Sequence, residues 1–306
     1  MKRRPVAAAA LALGIALAAA WSLVPALWQA STAVKPEAQI TAVPAVWLPS
    51  PPTAEHVRAL WERKPFARYL GNSAGVALAA TLLCLAAASP AAAALCRMRP
   101  RLKNLWLLGL LLVSLFPPIL LLFPLYEGVR ALGLVNSPVA LVLPYAAFGL
   151  PLAVWVLEAG FRELPKELEE AATLDGLGPL GRLCRVQLPL AAPSVAAAGL
   201  LTFIASWNEF LLALSFTTRD TSRTVTAGIA SVSGASLYEV PWGQLSAAIV
   251  LSTLPVVLLV LLFERRISGG LTGGAVKGCR GVPRQAPPGF PPAGPPSVAP
   301  GRGVSR

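Results

Sequence analysis

Long apolar runs that recur between short polar segments constrain this chain more than any other feature. Hydrophobic residues make up 55% of the 306 residues and charged residues only 13%, whereas about 25% of the residues in soluble domains are charged. A single soluble core cannot bury this surplus, and about 20 apolar residues suffice to cross a bilayer as a helix. The sequence therefore predicts an all-α membrane protein with six transmembrane helices, at roughly 6–28, 70–95, 105–126, 138–157, 193–216 and 243–263.

The first apolar run allows two interpretations. It follows Lys2, Arg3 and Arg4, which is also typical of a signal peptide. It extends to Trp28, however, and so exceeds the apolar core of a signal peptide, which is about 7–15 residues long. A retained helix is the favoured interpretation.

The distribution of lysine and arginine predicts the orientation. With the N-terminus inside, the inner segments hold 18 of the 26 basic residues and the outer segments hold 8. Because positive charge is retained on the cytoplasmic side, we expect a multi-pass protein of the inner membrane with both termini in the cytoplasm. The net charge of +12 then reflects topology, and no nucleic-acid partner is expected, since the basic residues are not grouped with aromatic residues.

Prolines inside the predicted spans indicate kinks, because each removes a backbone donor and crowds the preceding turn. They are Pro117, Pro118, Pro124, Pro144, Pro151 and Pro255. In lipid, a kink needs neighbouring helices or water to satisfy the freed carbonyls. The pattern is compatible with a bundle around a pathway and equally with kinks that have no role in transport.

The chain divides into three parts on this pattern. Residues 1–69 hold the first span and a long outer segment, and residues 70–278 form a five-helix core that includes an inner loop at 158–190. Residues 279–306 contain eight prolines, five glycines and no acidic residue. That composition predicts a tail that buries no core.

A short surface helix is expected in the outer segment. Val57, Leu60 and Trp61 recur at helical spacing behind Thr53, a candidate N-cap. Such a helix would lie on the membrane or contact a partner.

The inner loop, named the 158–190 loop below, is too long to be a simple turn. Pro165 suits a first helical turn, and the glutamates around it suit the positive end of the helix dipole. Gly176 can adopt the left-handed conformation that ends a helix. One face carries Leu164, Leu168, Ala171 and Ala172. The pattern predicts a helix–turn–helix whose apolar face either contacts another protein or packs on the bundle itself.

The same loop carries a motif that resembles a known family. The order is Glu170-Ala171-Ala172, three residues, Gly176, nine residues, then Val186, any residue, Leu188 and Pro189. It is similar to the EAA signature of permease subunits in binding-protein-dependent ABC importers, with Val186 in place of the usual isoleucine. Segments 116–161, 203–214 and 270–278 resemble the carbohydrate-uptake branch, and in particular the second permease of maltose- and glycerol-phosphate-type systems.

The resemblance covers roughly residues 1–278 and implies a type I ABC importer permease fold (MetI-like) with a cytoplasmic EAA coupling helix. It implies a heterodimer with a second permease, two ATPase subunits and an extracytoplasmic solute-binding protein, besides membrane lipid. ATP hydrolysis is expected on the partner, without a cofactor on this chain. The residues implied in coupling to the ATPase are Glu170, Ala171, Ala172, Asp175, Gly176, Leu188 and Pro189.

Asn208 and Glu209 are candidates for the translocation pathway. A carboxylate inside a span costs roughly 2.5–3.5 kcal/mol on insertion scales and so usually faces protein or water. Glu209 lies towards the outer end of its span, so contact with lipid headgroups is the alternative.

Other function classes fit the sequence less well. The four cysteines lack metal-ligand spacing, the only histidine is His56 outside the spans, and we find no catalytic motif. A membrane enzyme and a metal site are therefore not expected. An ion-coupled transporter or channel remains the alternative, although it would need more intramembrane charges than Glu209.

Overall fold

A computed structural model describes residues 4–233 and 240–275, and their regular secondary structure is helical throughout. The helices are α1 (Arg4–Ala33), α2 (Glu37–Ile40), α3 (Glu55–Arg63), α4 (Phe66–Arg97), α5 (Pro100–Ser114), α6 (Leu122–Ala131), α7 (Val142–Arg162), α8 (Lys166–Leu174), α9 (Pro179–Arg182), α10 (Leu188–Leu190), α11 (Ala192–Asn208), α12 (Leu211–Phe216), α13 (Val225–Ser233) and α14 (Trp242–Ala275). The 3₁₀ turns Pro118–Leu121 and Pro138–Leu141 precede α6 and α7, and the π-helical turn Leu183–Gln187 precedes α10.

Four helical segments in the described residues are long and apolar enough to cross a membrane. They are Ala9–Ala33, Phe66–Arg97, Pro138–Arg162 and Trp242–Glu264. Two bent helix pairs bring the number to six when each pair is counted as one span. The predicted all-α membrane fold is therefore confirmed.

The third predicted span, 105–126, is wrong as a single helix. It is divided between α5 and the Pro118–Ala131 segment, which meet at an angle of 79°. Pro117 and Pro118 lie at the break, where neither can donate a backbone hydrogen bond. Pro151 and Pro255, by contrast, lie inside helices that continue past them.

The fifth predicted span, 193–216, is also interrupted. α11 ends at Asn208, Glu209 has extended backbone, and α12 starts at Leu211. At its other end α11 forms a bent pair with the Pro179–Leu190 segment, at an angle of 86°. The span is thus interrupted at Glu209 and sharply bent at Ala191, where backbone hydrogen bonds continue across the bend.

The core is formed by α4, α7 and α11, which pack against one another through small side chains. The fully buried members are mostly alanines, including Ala80, Ala88, Ala153 and Ala198. Small residues let helix backbones approach closely, which drives association where lipid supplies no hydrophobic force. The alanine-rich sequence of α4 therefore serves close packing. Leucines and valines of α1 and α14 are mostly exposed, as expected for surfaces that face lipid or another subunit.

The predicted surface helix exists as α3, but it packs on the bundle itself. Leu60 is buried together with Phe66 and Tyr69. His56 is buried against Gly243 at the start of α14, where any Cβ would collide with the imidazole ring. The prediction that Thr53 is the N-cap is wrong, because Ala54 occupies that position, although the Thr53 hydroxyl accepts a hydrogen bond from the Glu55 amide at 3.2 Å.

A helix missing from the sequence prediction is α13, in the segment between the last two spans. Gly228 lies so close to Tyr69 of α4 that a Cβ would clash with the phenol ring. The Val225 amide donates to Ser73 at 2.8 Å, and Tyr69 donates to Asp220 at 2.8 Å. This segment therefore folds back onto the N-terminal end of α4. The predicted tail at 279–306 lies outside the described residues.

Candidate functional site

The EAA-like segment forms α8, and its end has the geometry of a Schellman motif. Gly176 has φ +80°, and the Leu177 amide donates to the Ala172 carbonyl at 3.0 Å while the Gly176 amide donates to that of Thr173 at 3.0 Å. This pair of bonds satisfies carbonyls that a helix end leaves free. The left-handed turn requires glycine for conformational reasons alone, since a Cβ at Gly176 would meet no other atom within 4 Å. The predicted helix end at Gly176 is confirmed.

The residues of the motif divide between an exposed and a buried surface. Glu170, Ala171 and Asp175 are exposed, and Leu174 is 89% exposed at the end of the helix. Ala172 is 5% exposed and belongs to the inward face. The residues of the apolar face predicted from spacing therefore do not form a single exposed surface.

The distal part of the motif starts the connection to α11. Leu188 packs against the core cluster, while Pro189 is exposed. Leu164, before α8, also packs against that cluster. Both ends of the 158–190 loop thus pack against the bundle, while its middle part is exposed.

Glu169 joins α8 to two other elements. Its carboxylate lies 3.7 Å from Arg97 at the C-terminal end of α4. It also accepts a hydrogen bond from the Nε2 of Gln187, a side chain that is only 1% exposed. Glu169 and Glu170 therefore differ in their surroundings. Glu169 binds other elements of the bundle, whereas the exposed Glu170 has no hydrogen-bond or ion-pair partner within the described residues.

A second, partly buried ion pair joins α5 to α7. Lys103 of α5 binds Glu158 of α7 at 3.0 Å, and Cys96 donates through its thiol to the Glu158 carbonyl at 3.6 Å. With the Arg97–Glu169 pair, these contacts connect α4, α5, α7 and α8 at one end of the bundle. Sequence reasoning missed Glu169 and Glu158, because spacing along one helix does not show which partners other helices bring.

The second candidate region lies at the break after α11. Asn208 is exposed and Glu209 is half-buried. The Glu209 carboxylate accepts hydrogen bonds from the amides of Leu212 at 2.9 Å and Ala213 at 3.1 Å, and from the Tyr145 hydroxyl at 2.6 Å. Glu209 therefore satisfies the amides that the break leaves free. The expectation that it reaches lipid headgroups does not fit these contacts.

No group of three or more potential metal ligands occurs in the part of the chain that the structure describes. The three cysteines within it, Cys84, Cys96 and Cys184, are free thiols.

The comparisons with known proteins decide the family. Residues 73–272 match the model of the binding-protein-dependent transport system inner membrane component family. The chain belongs to this family. The permease is therefore a multi-pass inner-membrane protein of an ABC importer, and it works with an ATPase and a solute-binding protein. It is a non-catalytic subunit, because ATP hydrolysis lies on the partner.

Several relatives are similar over most of this permease. It is 41% identical over 84% of its length to the sulfoquinovosyl glycerol transport system permease protein SmoH of Agrobacterium fabrum, covering 89% of that protein. It is 39% identical over 86% of its length to the trehalose transport system permease protein SugB of Mycobacterium tuberculosis, covering 95% of it. Identity to the trehalose/maltose transport system permease protein MalG of Thermococcus litoralis is 44%, over 70% of this chain and 76% of that one.

A solved structure shows the same fold. It is that of a bacterial ABC transporter involved in the import of the acidic polysaccharide alginate, with a TM-score of 0.72 and 20% identity. The match covers 87% of the permease and 98% of the solved chain. The type I importer permease fold is thus confirmed.

Glu169 is expected to hold α8 onto the bundle. Replacing Glu169 by alanine removes its contacts with Arg97 and Gln187, worth about 1 kcal/mol for a partly exposed group. We expect tryptic cleavage after Arg185 to become about fivefold faster in the purified permease. Glu167→Ala is the matched control, because the exposed Glu167 has no partner in the described residues. Equal cleavage rates in the two variants would contradict this anchoring role.

Proposed function

We propose that the permease imports a carbohydrate, and that α8 with its Gly176 turn transmits the movement of the ATPase to the bundle. The substrate class is supported by the relatives, whose names refer to sulfoquinovosyl glycerol, trehalose, maltose and diacetylchitobiose. In the proposed arrangement the permease pairs with a second, similar subunit above two ATPase subunits. Both termini and the 158–190 loop lie in the cytoplasm.

The coupling proposal rests on one observation. Part of the 158–190 loop is anchored to the bundle, and another part is exposed. Glu170, Ala171 and Leu174 are exposed on a helix that Glu169 ties to α4. A docking helix needs both properties, since a partner must reach it and its displacement must reach the spans. Hinge and shear movements of packed helices are the usual route for such transmission. The exposed Ala171 allows a partner surface to approach closely.

Arg97, Lys103 and the charged 158–190 loop lie at the same end of the bundle, which supports a cytoplasmic position for this end. The N-terminal end of α4, with Tyr69 and Asn72 bound to the segment before α13, lies opposite. That end would receive the solute-binding protein.

Transport by the assembled complex tests the function directly. The permease, its partner permease, the ATPase and the binding protein are reconstituted in proteoliposomes with radiolabelled trehalose or maltose. The proposal predicts uptake only with ATP and the ATPase. Uptake that persists without either would support an ion-coupled transporter instead.

Glu170→Ala is expected to lower uptake about tenfold. A shielded, charge-assisted contact between Glu170 and a basic residue of the ATPase is worth roughly 1.5–3 kcal/mol, and the variant loses it. The amount of permease in the membrane should not change, since Glu170 is exposed and forms no hydrogen bond or ion pair with the described residues. Glu167→Ala on the same helix is the control for charge. Normal uptake by Glu170→Ala would remove this residue from the coupling surface.

Gly176→Val is expected to uncouple ATP hydrolysis from uptake by distorting the end of α8. A β-branched residue at φ +80° is strained by about 1–2 kcal/mol. Gly178→Val is the matched control, because Gly178 has φ −66° and open space at its Cβ position. The ratio of sugar imported to ATP hydrolysed should fall for Gly176→Val and stay normal for Gly178→Val. The same ratio in both would show that the left-handed turn is not needed.

A further inference from the structure

The cleft between α7 and α11 combines chemistry that suits a sugar. We name it the α7–α11 cleft and define it by Tyr145, Phe148, Gly149, Thr202, Ser206 and Glu209. Leu152 and Ala205 complete the lining, whose exposed surface is mostly apolar. Its volume is about 120 Å³, below the ~300 Å³ at which typical small-molecule pockets begin. The cleft therefore covers one face of a single ring and leaves the opposite face for another surface.

Gly149 sets how closely the two helices approach at this level. A Cβ there would lie 2.9 Å from Cγ2 of Thr202 and 3.5 Å from Sγ of Cys84. The floor of the cleft is thus made by backbone and by Thr202, whose hydroxyl is already bonded to the Ala198 carbonyl at 2.9 Å.

Ser206 supplies an unused hydrogen-bonding group. Its side chain lines the cleft and is 7% exposed, yet its hydroxyl has no hydrogen-bond partner among the described residues. Other hydroxyls in the spans, such as those of Thr81 and Ser89, donate to the carbonyl four residues earlier. Its oxygen is not one of the fully buried side-chain atoms that lack a partner in the described residues, so it reaches the open space of the cleft, where a ligand or water can bond to it. Ser206 is therefore available to a ligand in the cleft.

Glu209 gives the cleft its charge. The three donors on its carboxylate are the amides of Leu212 and Ala213 and the Tyr145 hydroxyl, all of them neutral. Within the described residues, no lysine or arginine forms an ion pair with Glu209. The cleft is therefore electronegative, which favours hydroxyl donors and repels phosphate or carboxylate groups.

An aromatic ring completes the set. Phe148 lines the cleft and is 38% exposed, so its face can receive the apolar C–H side of a sugar ring. A carboxylate, a free hydroxyl and an aromatic face together recognise the alternating polar and apolar surfaces of a pyranose.

From this arrangement we propose that the α7–α11 cleft is a subsite for one uncharged sugar ring on the translocation pathway. The inference rests on the proposed carbohydrate-import function and narrows it. It favours neutral sugars over anionic solutes such as glycerol-3-phosphate. The Ser206 hydroxyl donates to or accepts from the ring hydroxyls, the Glu209 carboxylate accepts from them, and Phe148 contacts the ring face. Asn208, which is exposed beside the cleft, is not needed for this subsite.

The test measures uptake by the complete complex in proteoliposomes, with trehalose and maltose as neutral probes and glycerol-3-phosphate as the anionic probe. Ser206→Ala removes one ligand bond worth about 0.5–1.5 kcal/mol, so KM for the neutral sugar should rise about threefold to tenfold. Ser215→Ala is the matched control, since the Ser215 hydroxyl is bonded to the Leu211 carbonyl at 2.8 Å and lies outside the cleft. Damage to folding would lower the maximal rate in place of raising KM.

The outcomes distinguish a failure of the subsite proposal from a failure of the proposed carbohydrate import. Neutral-sugar uptake with a raised KM for Ser206→Ala alone supports the subsite. The same uptake with equal KM values in Ser206→Ala and Ser215→Ala overturns the subsite and leaves carbohydrate import intact. ATP-driven uptake of glycerol-3-phosphate but of neither sugar overturns the preference for neutral solutes.

Discussion

Hydrocarbon cannot satisfy backbone amides and carbonyls, and the architecture of this permease follows from that constraint. A helix satisfies both groups along its length, so the chain crosses the membrane as helices. Wherever a helix breaks, side chains must replace the lost bonds. Glu209 does so by accepting from the amides of Leu212 and Ala213. A charged side chain thus lies in an apolar span for a structural reason, and the same side chain lines the cleft between α7 and α11.

Close packing gives the bundle the stiffness that the proposed coupling needs. Alanine and glycine allow α4, α7 and α11 to approach, and at Gly160 of α7 a Cβ would collide with Ser194 of α11. Packed interfaces of this kind shift between discrete arrangements more readily than they deform. The Arg97–Glu169 contact adds α8 to the same unit. Force applied at the exposed Glu170 would therefore be transmitted to three spans at once.

The features that could be predicted from the sequence are those with a local cause. The spans follow from hydropathy, and the end of α8 follows from Gly176, which alone permits the left-handed turn. Hydropathy alone predicts one continuous span across Pro117 and another across Glu209. The local signals for the two breaks are the adjacent prolines in the first span and the isolated carboxylate in the second. The different surroundings of Glu169 and Glu170 depend on Arg97 and Gln187, which only the tertiary fold brings near.

The central claim is that the 158–190 loop is a cytoplasmic docking element for the ATPase, and Cys184 is a native reporter for it. Its thiol is exposed in the loop, while Cys84 is buried. A membrane-impermeant maleimide, followed by mass spectrometry of the peptide that contains Cys184, should modify this residue in inside-out vesicles and not in intact cells, and bound ATPase should slow the reaction. Modification of Cys184 from outside intact cells would contradict the account.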